Sequence, residues 1–207
     1  MKYRNLIRYI GYALILTGAV LVLGSLYINI KQQVMREAAL AEFREKLVEA
    51  PAEEVLFTDD APDAGEAVIP GGNEAVEGDI LYILRIPSID SENPVREGVS
   101  MGVLEDSLGH ESDTAFIGAK GNCVIAGHRN YSFGQFFNRL DEVKVNDLIY
   151  VDTAKQTFAY VVTDIKVVEP TDLSVLEPTD EEVLTLYTCT PIYIASHRLV
   201  ITASRIG

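Results

Sequence analysis

The segment TLYTCTPIYIASHRLVITAS, Thr185 to Ser204, decides how the chain is read. Two runs, VLTLYTC (183–189) and RLVITAS (198–204), have the apolar, β-branched texture of strands. Cys189 ends the first run just ahead of Pro191, a residue poorly suited to continuing a central strand. A hairpin through TPIYIASH then returns Arg198, the start of the second run, beside Cys189. Adjacent strand residues point to opposite faces, so His197 and Arg198 cannot both face that cysteine, and His197 is assigned a structural role.

Strand texture extends outward from this pair. It begins at Ile80 with ILYILRIPSI and recurs in CVIAG (123–127), DLIYVDT (147–153) and TFAYVVTDIKVV (157–168), with SFGQFFNRLDEV (132–143) expected as a short helix. Regularly spaced short strands with few long helices imply an all-β fold, a closed barrel or a sandwich, over residues 80–207. Neither an internal repeat nor a second globular domain is evident.

Ahead of this domain, YIGYALILTGAVLVLGSLYINI (9–30) carries no charged residue. About 20 apolar residues in a helix cross a bilayer. Lys2, Arg4 and Arg8 precede the span, which puts the N-terminal tip in the cytoplasm and everything after Lys31 outside. SLYINIKQQ offers no small-residue cleavage site, so an uncleaved signal anchor over 1–30 is expected rather than a removed signal peptide. Residues 31–50 are rich in helix formers and read as a stalk helix. Residues 51–79 hold no Lys or Arg, many acidic residues and the breakers Pro51, Pro62, Pro70, Gly71 and Gly72. With the stalk they form a connector (31–79) ending in a flexible acidic tether. The formal net charge of −14 over 207 residues argues against a nucleic-acid partner, because binding phosphates needs a basic face.

Few side chains offer chemistry. Two cysteines, Cys123 and Cys189, are too few for a disulfide framework. Cys123 begins an apolar strand and reads as a small buried hydrophobe, while His110, in the polar stretch LGHESD, reads as a solvated loop residue. His128 differs, because it follows CVIAG and sits where a strand gives way to a loop, a rigid edge suited to a functional group. The unperturbed thiol pKa of about 8.5 leaves little thiolate near neutrality, so a nucleophilic Cys189 needs a cation or base nearby. His128 and Arg198 meet that need, and a fixed guanidinium can also donate to a developing oxyanion. Pairing Cys123 with His128 and Cys189 with His197 gives spacings wider than those usual for structural zinc, and no metal site is assigned.

These residues also carry a resemblance. TLYTC (185–189) looks like the TLxTC signature of sortases, the membrane-anchored cysteine transpeptidases of Gram-positive bacteria. VIAGHR sets His128 in a sortase-like context, and TPIYIASHRLVI carries Arg198 at the start of the next strand. The similarity covers about residues 78–206, including DILYILRIPSIDSENPVREGVS. It implies a closed eight-stranded sortase-type barrel with short helices. Cys189 would be the nucleophile, His128 the general acid/base and Arg198 the stabiliser of substrate and oxyanion.

The implied reaction is cleavage of a sorting signal resembling Leu-Pro-x-Thr-Gly through a Cys189 thioester, resolved by an amine. That amine belongs to a peptidoglycan precursor for an anchoring enzyme or to a pilin lysine for a polymerising one. CTPIYIASHRL resembles the pilin-polymerising class C enzymes. A lid motif with proline and a second, C-terminal span are missing from the sequence, which favours a class D-like enzyme with one anchor. The acidic stretch VEPTDLSVLEPTDEE (168–182) is where some relatives bind calcium; solvated carboxylates are the simpler expectation, and no cofactor is assigned. Two rivals remain: a surface-displayed barrel that binds a partner without catalysis, and a cysteine protease of another fold that transfers the acyl group to water.

Overall fold

A computed structural model of the chain describes residues 2–49, 75–129 and 136–206. The 51–74 part of the acidic tether lies outside the described residues, as does the start of the expected 132–143 helix. From Leu140 to Glu142 the latter stretch is a 3-10 turn, and Phe137, Leu140 and Val143 send their side chains into the core.

Eight strands close into a barrel in the order β1-β2-β3-β4-β7-β8-β6-β5. They are β1 (Ile80–Ile86), β2 (Ser91–Glu97), β3 (Leu108–His110), β4 (Gly121–Ala126), β5 (Leu148–Asp152), β6 (Thr157–Val168), β7 (Glu182–Thr190) and β8 (His197–Ile206). A single helical turn, α2 (Met101–Leu104), joins β2 to β3, with Ser100 capping it by accepting from the Val103 amide. Strand texture alone left barrel and sandwich open, and the closed order is the eight-stranded barrel that the resemblance implied.

Alternation along each strand builds the interior. Leu184 and Leu186 of β7, Leu199, Ile201 and Ala203 of β8, Cys123 and Ile125 of β4, and Tyr82, Leu84 and Ile86 of β1 meet in one core. Their sequence neighbours face outwards, which puts Asn122, Val124 and Ala126, then Thr185, Tyr187 and Cys189, on the outer wall.

The N-terminal helix α1 runs unbroken from Lys2 to Glu49, so the apolar span and the expected stalk are one helix. Within it lies one segment long and apolar enough to cross a membrane, with mean hydropathy 2.1 and none of its most apolar window buried by the rest of the chain. The stalk portion docks on the barrel instead of standing free. Ala39, Leu40 and Phe43 are buried against Ile80 and Ile83 of β1. The side chain of Arg96 meets Glu42 at 3.5 Å and donates to Gly78 O at 2.8 Å, tying helix and entry loop to β2. This docking is why β1 is buried on both faces.

Phe43→Ala is expected to weaken this contact by about 3 kcal/mol through lost burial and the cavity left behind. Hydrogen exchange checks it: amides of the α1 stalk should exchange faster in the variant, and those of β4 and β7 should not change.

Candidate active site

Pairing register builds the site. β4 and β7 run parallel with Ala126 opposite Tyr187, so continuing that register two residues past the end of β4 brings His128 level with Cys189. β8 runs antiparallel to β7 with Cys189 directly opposite Arg198. Side chains directly opposite on one face are near neighbours. Three adjacent chain segments thus carry a histidine, a cysteine and an arginine at one height on the outer wall.

They line a cleft of about 320 Å³ together with Ala126, Gly127, Tyr187 and Thr188. Cys189 is half-buried and not disulfide-bonded. The far wall is largely apolar, formed by Leu173, Val175 and Leu176 of the loop between β6 and β7 and by Leu104 of α2. Low dielectric beside such a wall strengthens any charge interaction made inside.

Local packing fixes each element. A Cβ at Gly127 would lie 2.5 Å from both Leu108 Cδ2 and Phe137 Cδ2, so only glycine lets the backbone pass there on its way to His128. Thr188 Oγ1 donates to Gly127 O at 2.7 Å, locking the two strand ends together. Arg198 Nη1 donates to His197 O at 3.1 Å and to Ala195 O at 3.4 Å, which rests the guanidinium on its own turn at the cleft.

His197 sits opposite Thr190 and does not line the cleft. Its Nε2 approaches Glu169 Oε1 at 3.3 Å, and its Nδ1 meets Ser196 Oγ at 2.8 Å. Cys123 is 2% exposed inside the barrel, and burial pushes its thiol pKa well up, with Glu182 and Glu97 adding to the rise. Facing the interior while Cys189 faces the cleft, it cannot share a metal or a disulfide with Cys189. Among the described residues no group of three or more His, Cys, Asp and Glu side chains could hold a metal ion. In the 168–182 loop, Asp172 accepts from the Ser174 amide and caps a 3-10 turn (Leu173–Leu176).

The reading of His110 as a solvated loop residue is corrected. It ends β3 and is fully buried, with Nδ1 2.8 Å from Glu97 Oε2 and Nε2 3.1 Å from Ala115 O. β2 and β3 pair with Glu97 opposite His110, so the polar look of LGHESD concealed a partner on another strand.

Two further features were not legible in the sequence. Arg129 is half-buried beside the site: Nη1 donates to Thr190 Oγ1 at 3.0 Å, Nη2 pairs with Asp141 at 2.8 Å, and Nε donates to Asn138 O at 3.4 Å. It clamps the loop after His128 to the strand end that carries Cys189. On the cleft wall, Tyr187 donates its hydroxyl to Glu111. Burial and that carboxylate both push the tyrosine pKa up, keeping it a hydrogen-bond donor.

Comparison with known proteins agrees with this geometry. The family described as "Sortase domain" matches residues 84–206. Sortase SrtE1 of Streptomyces coelicolor is 33% identical over 148 residues, covering 64% of this chain and 41% of the relative. Sortase D of Bacillus subtilis is 30% identical over 133 residues, covering 62% of this chain and 65% of the relative. The chain thus spans less than two thirds of either relative's length. A solved Sortase D5 transpeptidase from Clostridium perfringens superposes with a TM-score of 0.67 at 29% identity, covering 84% of this chain and 99% of that one. A family match that takes in every strand from the middle of β1 to the end of β8 fixes the relationship: the chain belongs to the sortase family.

Proposed function

We propose that this chain is a membrane-anchored cysteine transpeptidase that cleaves a sorting signal resembling Leu-Pro-x-Thr-Gly and passes the acyl group to an amine. The observation that carries the reading is the shared height of His128, Cys189 and Arg198 on one cleft wall. Cys189 is the nucleophile, His128 the general acid/base and Arg198 the oxyanion stabiliser.

In the first half, the Cys189 thiolate attacks the scissile carbonyl carbon. Charge moves onto the carbonyl oxygen, where the Arg198 guanidinium donates to it. The tetrahedral intermediate collapses as the C–N bond breaks, and His128 gives its proton to the departing amine. The chain is left as a thioester, with His128 neutral. In the second half the acceptor amine attacks the thioester carbonyl and loses a proton to His128. The C–S bond breaks, the thiolate is regenerated, and an amide is formed. Splitting one amide exchange into two acyl transfers through sulfur lowers each barrier, and donors preset at the oxyanion need no reorganisation.

The anchor (1–30) and connector (31–79) hold the catalytic barrel (80–207) at the membrane. Lys2, Arg4 and Arg8 put that barrel on the extracellular side. A class D-like enzyme anchoring surface proteins to a peptidoglycan precursor is the favoured form. The likeness of CTPIYIASHRL to pilin-polymerising enzymes supports a second form that uses a pilin lysine.

The test incubates the full-length chain in detergent micelles with a Leu-Pro-x-Thr-Gly peptide library and either oligoglycine, a lysine peptide or no amine. Amine-linked products are expected, and which amine is incorporated selects between the two forms. Hydrolysis products alone would make the chain a cysteine protease. Absence of any cleavage would leave a binding barrel.

A further inference from the structure

Asn122 lies on the outer wall of β4, on the same face as Ala126 of the cleft, yet is only 5% exposed. The loop between β6 and β7 covers it. Its carboxamide is fully used: Oδ1 accepts from Thr185 Oγ1 at 2.7 Å, and Nδ2 donates to Val175 O at 2.9 Å and Glu177 O at 3.1 Å. Those carbonyls belong to the turn whose side chains form the apolar far wall of the cleft. That turn buries none of its own residues, so little apolar packing holds it in place. Its backbone is otherwise tied to β4 by the Gly121 amide, which donates to Glu181 O at 3.2 Å.

We propose that Asn122 is a positioning residue for the peptide substrate, holding the β6–β7 loop at the height that forms the far wall of the cleft. The inference rests on the acyl-transfer reading above. Asn122 touches no reacting atom; it acts through Leu173, Val175 and Leu176, which meet the peptide. A buried side chain that satisfies both ends of its amide across three elements fixes geometry more than it adds stability.

Asn122→Asp separates the two ties, since it keeps an acceptor for Thr185 and replaces the double donor by an oxygen facing two carbonyls. Thr185→Val does the reverse. In the full-length chain, Asn122→Asp is expected to raise KM for the best peptide of the library by about tenfold, with kcat within about twofold. Thr185→Val should leave KM within about twofold, and iodoacetamide should alkylate Cys189 at the wild-type rate in both variants.

Hydrogen exchange over 169–181 is read on the same samples and does not depend on activity; faster exchange in Asn122→Asp is expected. An unchanged KM, or a kcat that falls as far as KM rises, overturns the inference, because a merely structural residue would lower kcat together with the melting temperature. If the wild type shows no Cys189-dependent turnover, the acyl-transfer reading fails instead. Unchanged loop exchange would then overturn the role of Asn122 as well.

Discussion

Cys189→Ala is expected to lower kcat/KM for peptide cleavage on the order of 10^4-fold or more, because the covalent route is then closed and only binding and polarisation remain. The loss should appear in kcat. The apolar far wall of the cleft is untouched by the change, so KM or direct peptide affinity should move little. Cys189 is half-buried at the cleft and not cross-linked, so the alanine variant removes a reactive group without opening a core cavity. Its melting temperature should match the wild type within about 2 °C. Cys123→Ala offers the contrast: this thiol packs in the barrel interior, so its loss should cost stability and leave the chemistry of folded molecules intact. Single-turnover kinetics with thermal melts on both variants distinguish these outcomes. A Cys189→Ala enzyme retaining a tenth of wild-type activity would remove the nucleophile from the account.

The second large effect separates two neighbours. Arg198→Ala is expected to cost about 10²–10³-fold in kcat, the range for removing one donor to an oxyanion. His197→Ala should stay within about threefold. The argument is strand geometry: Arg198 faces Cys189 across the β7–β8 ladder, whereas His197 sits opposite Thr190 and reaches Glu169. Arg198→Lys keeps the charge but not the planar fork, and should recover only part of the lost rate. Parallel kinetics on the three variants check this. Equal losses at 197 and 198 would mean that the turn as a whole, not the guanidinium, carries the effect.

The candidate site was legible in the sequence wherever chemistry and strand texture coincided. The run ending at Cys189, the return at Arg198 and the strand end at His128 each placed a reactive group at a strand terminus, and register then did the rest. The pairing of β4 beside β7 spans more than fifty residues of sequence, so strand texture could only offer His128 as a partner for the cysteine, and the resemblance to sortases supported that choice. What escaped the sequence depends on partners from distant strands. His110 looked solvated because Glu111, Ser112 and Asp113 follow it, and its burial is set by Glu97 on β2. Asn122 carried no signal in the sequence, because the carbonyls it holds lie on a loop more than fifty residues away. The stalk helix was legible as a helix, but its docking was not. Among the described residues of the stalk only Ala39, Leu40 and Phe43 are buried, a patch too small to stand out as a periodic apolar face.

The account stands most directly on a thioester at Cys189. The measurement is intact-mass spectrometry of the full-length chain in micelles, mixed with a Leu-Pro-x-Thr-Gly peptide in the absence of amine and quenched in acid within seconds. The predicted result is a mass increase equal to the peptide's N-terminal acyl fragment, mapped to Cys189 after digestion, discharged by hydroxylamine and missing from Cys189→Ala. Cleavage of the peptide with no adduct on Cys189, or an adduct that persists in the alanine variant, would contradict it.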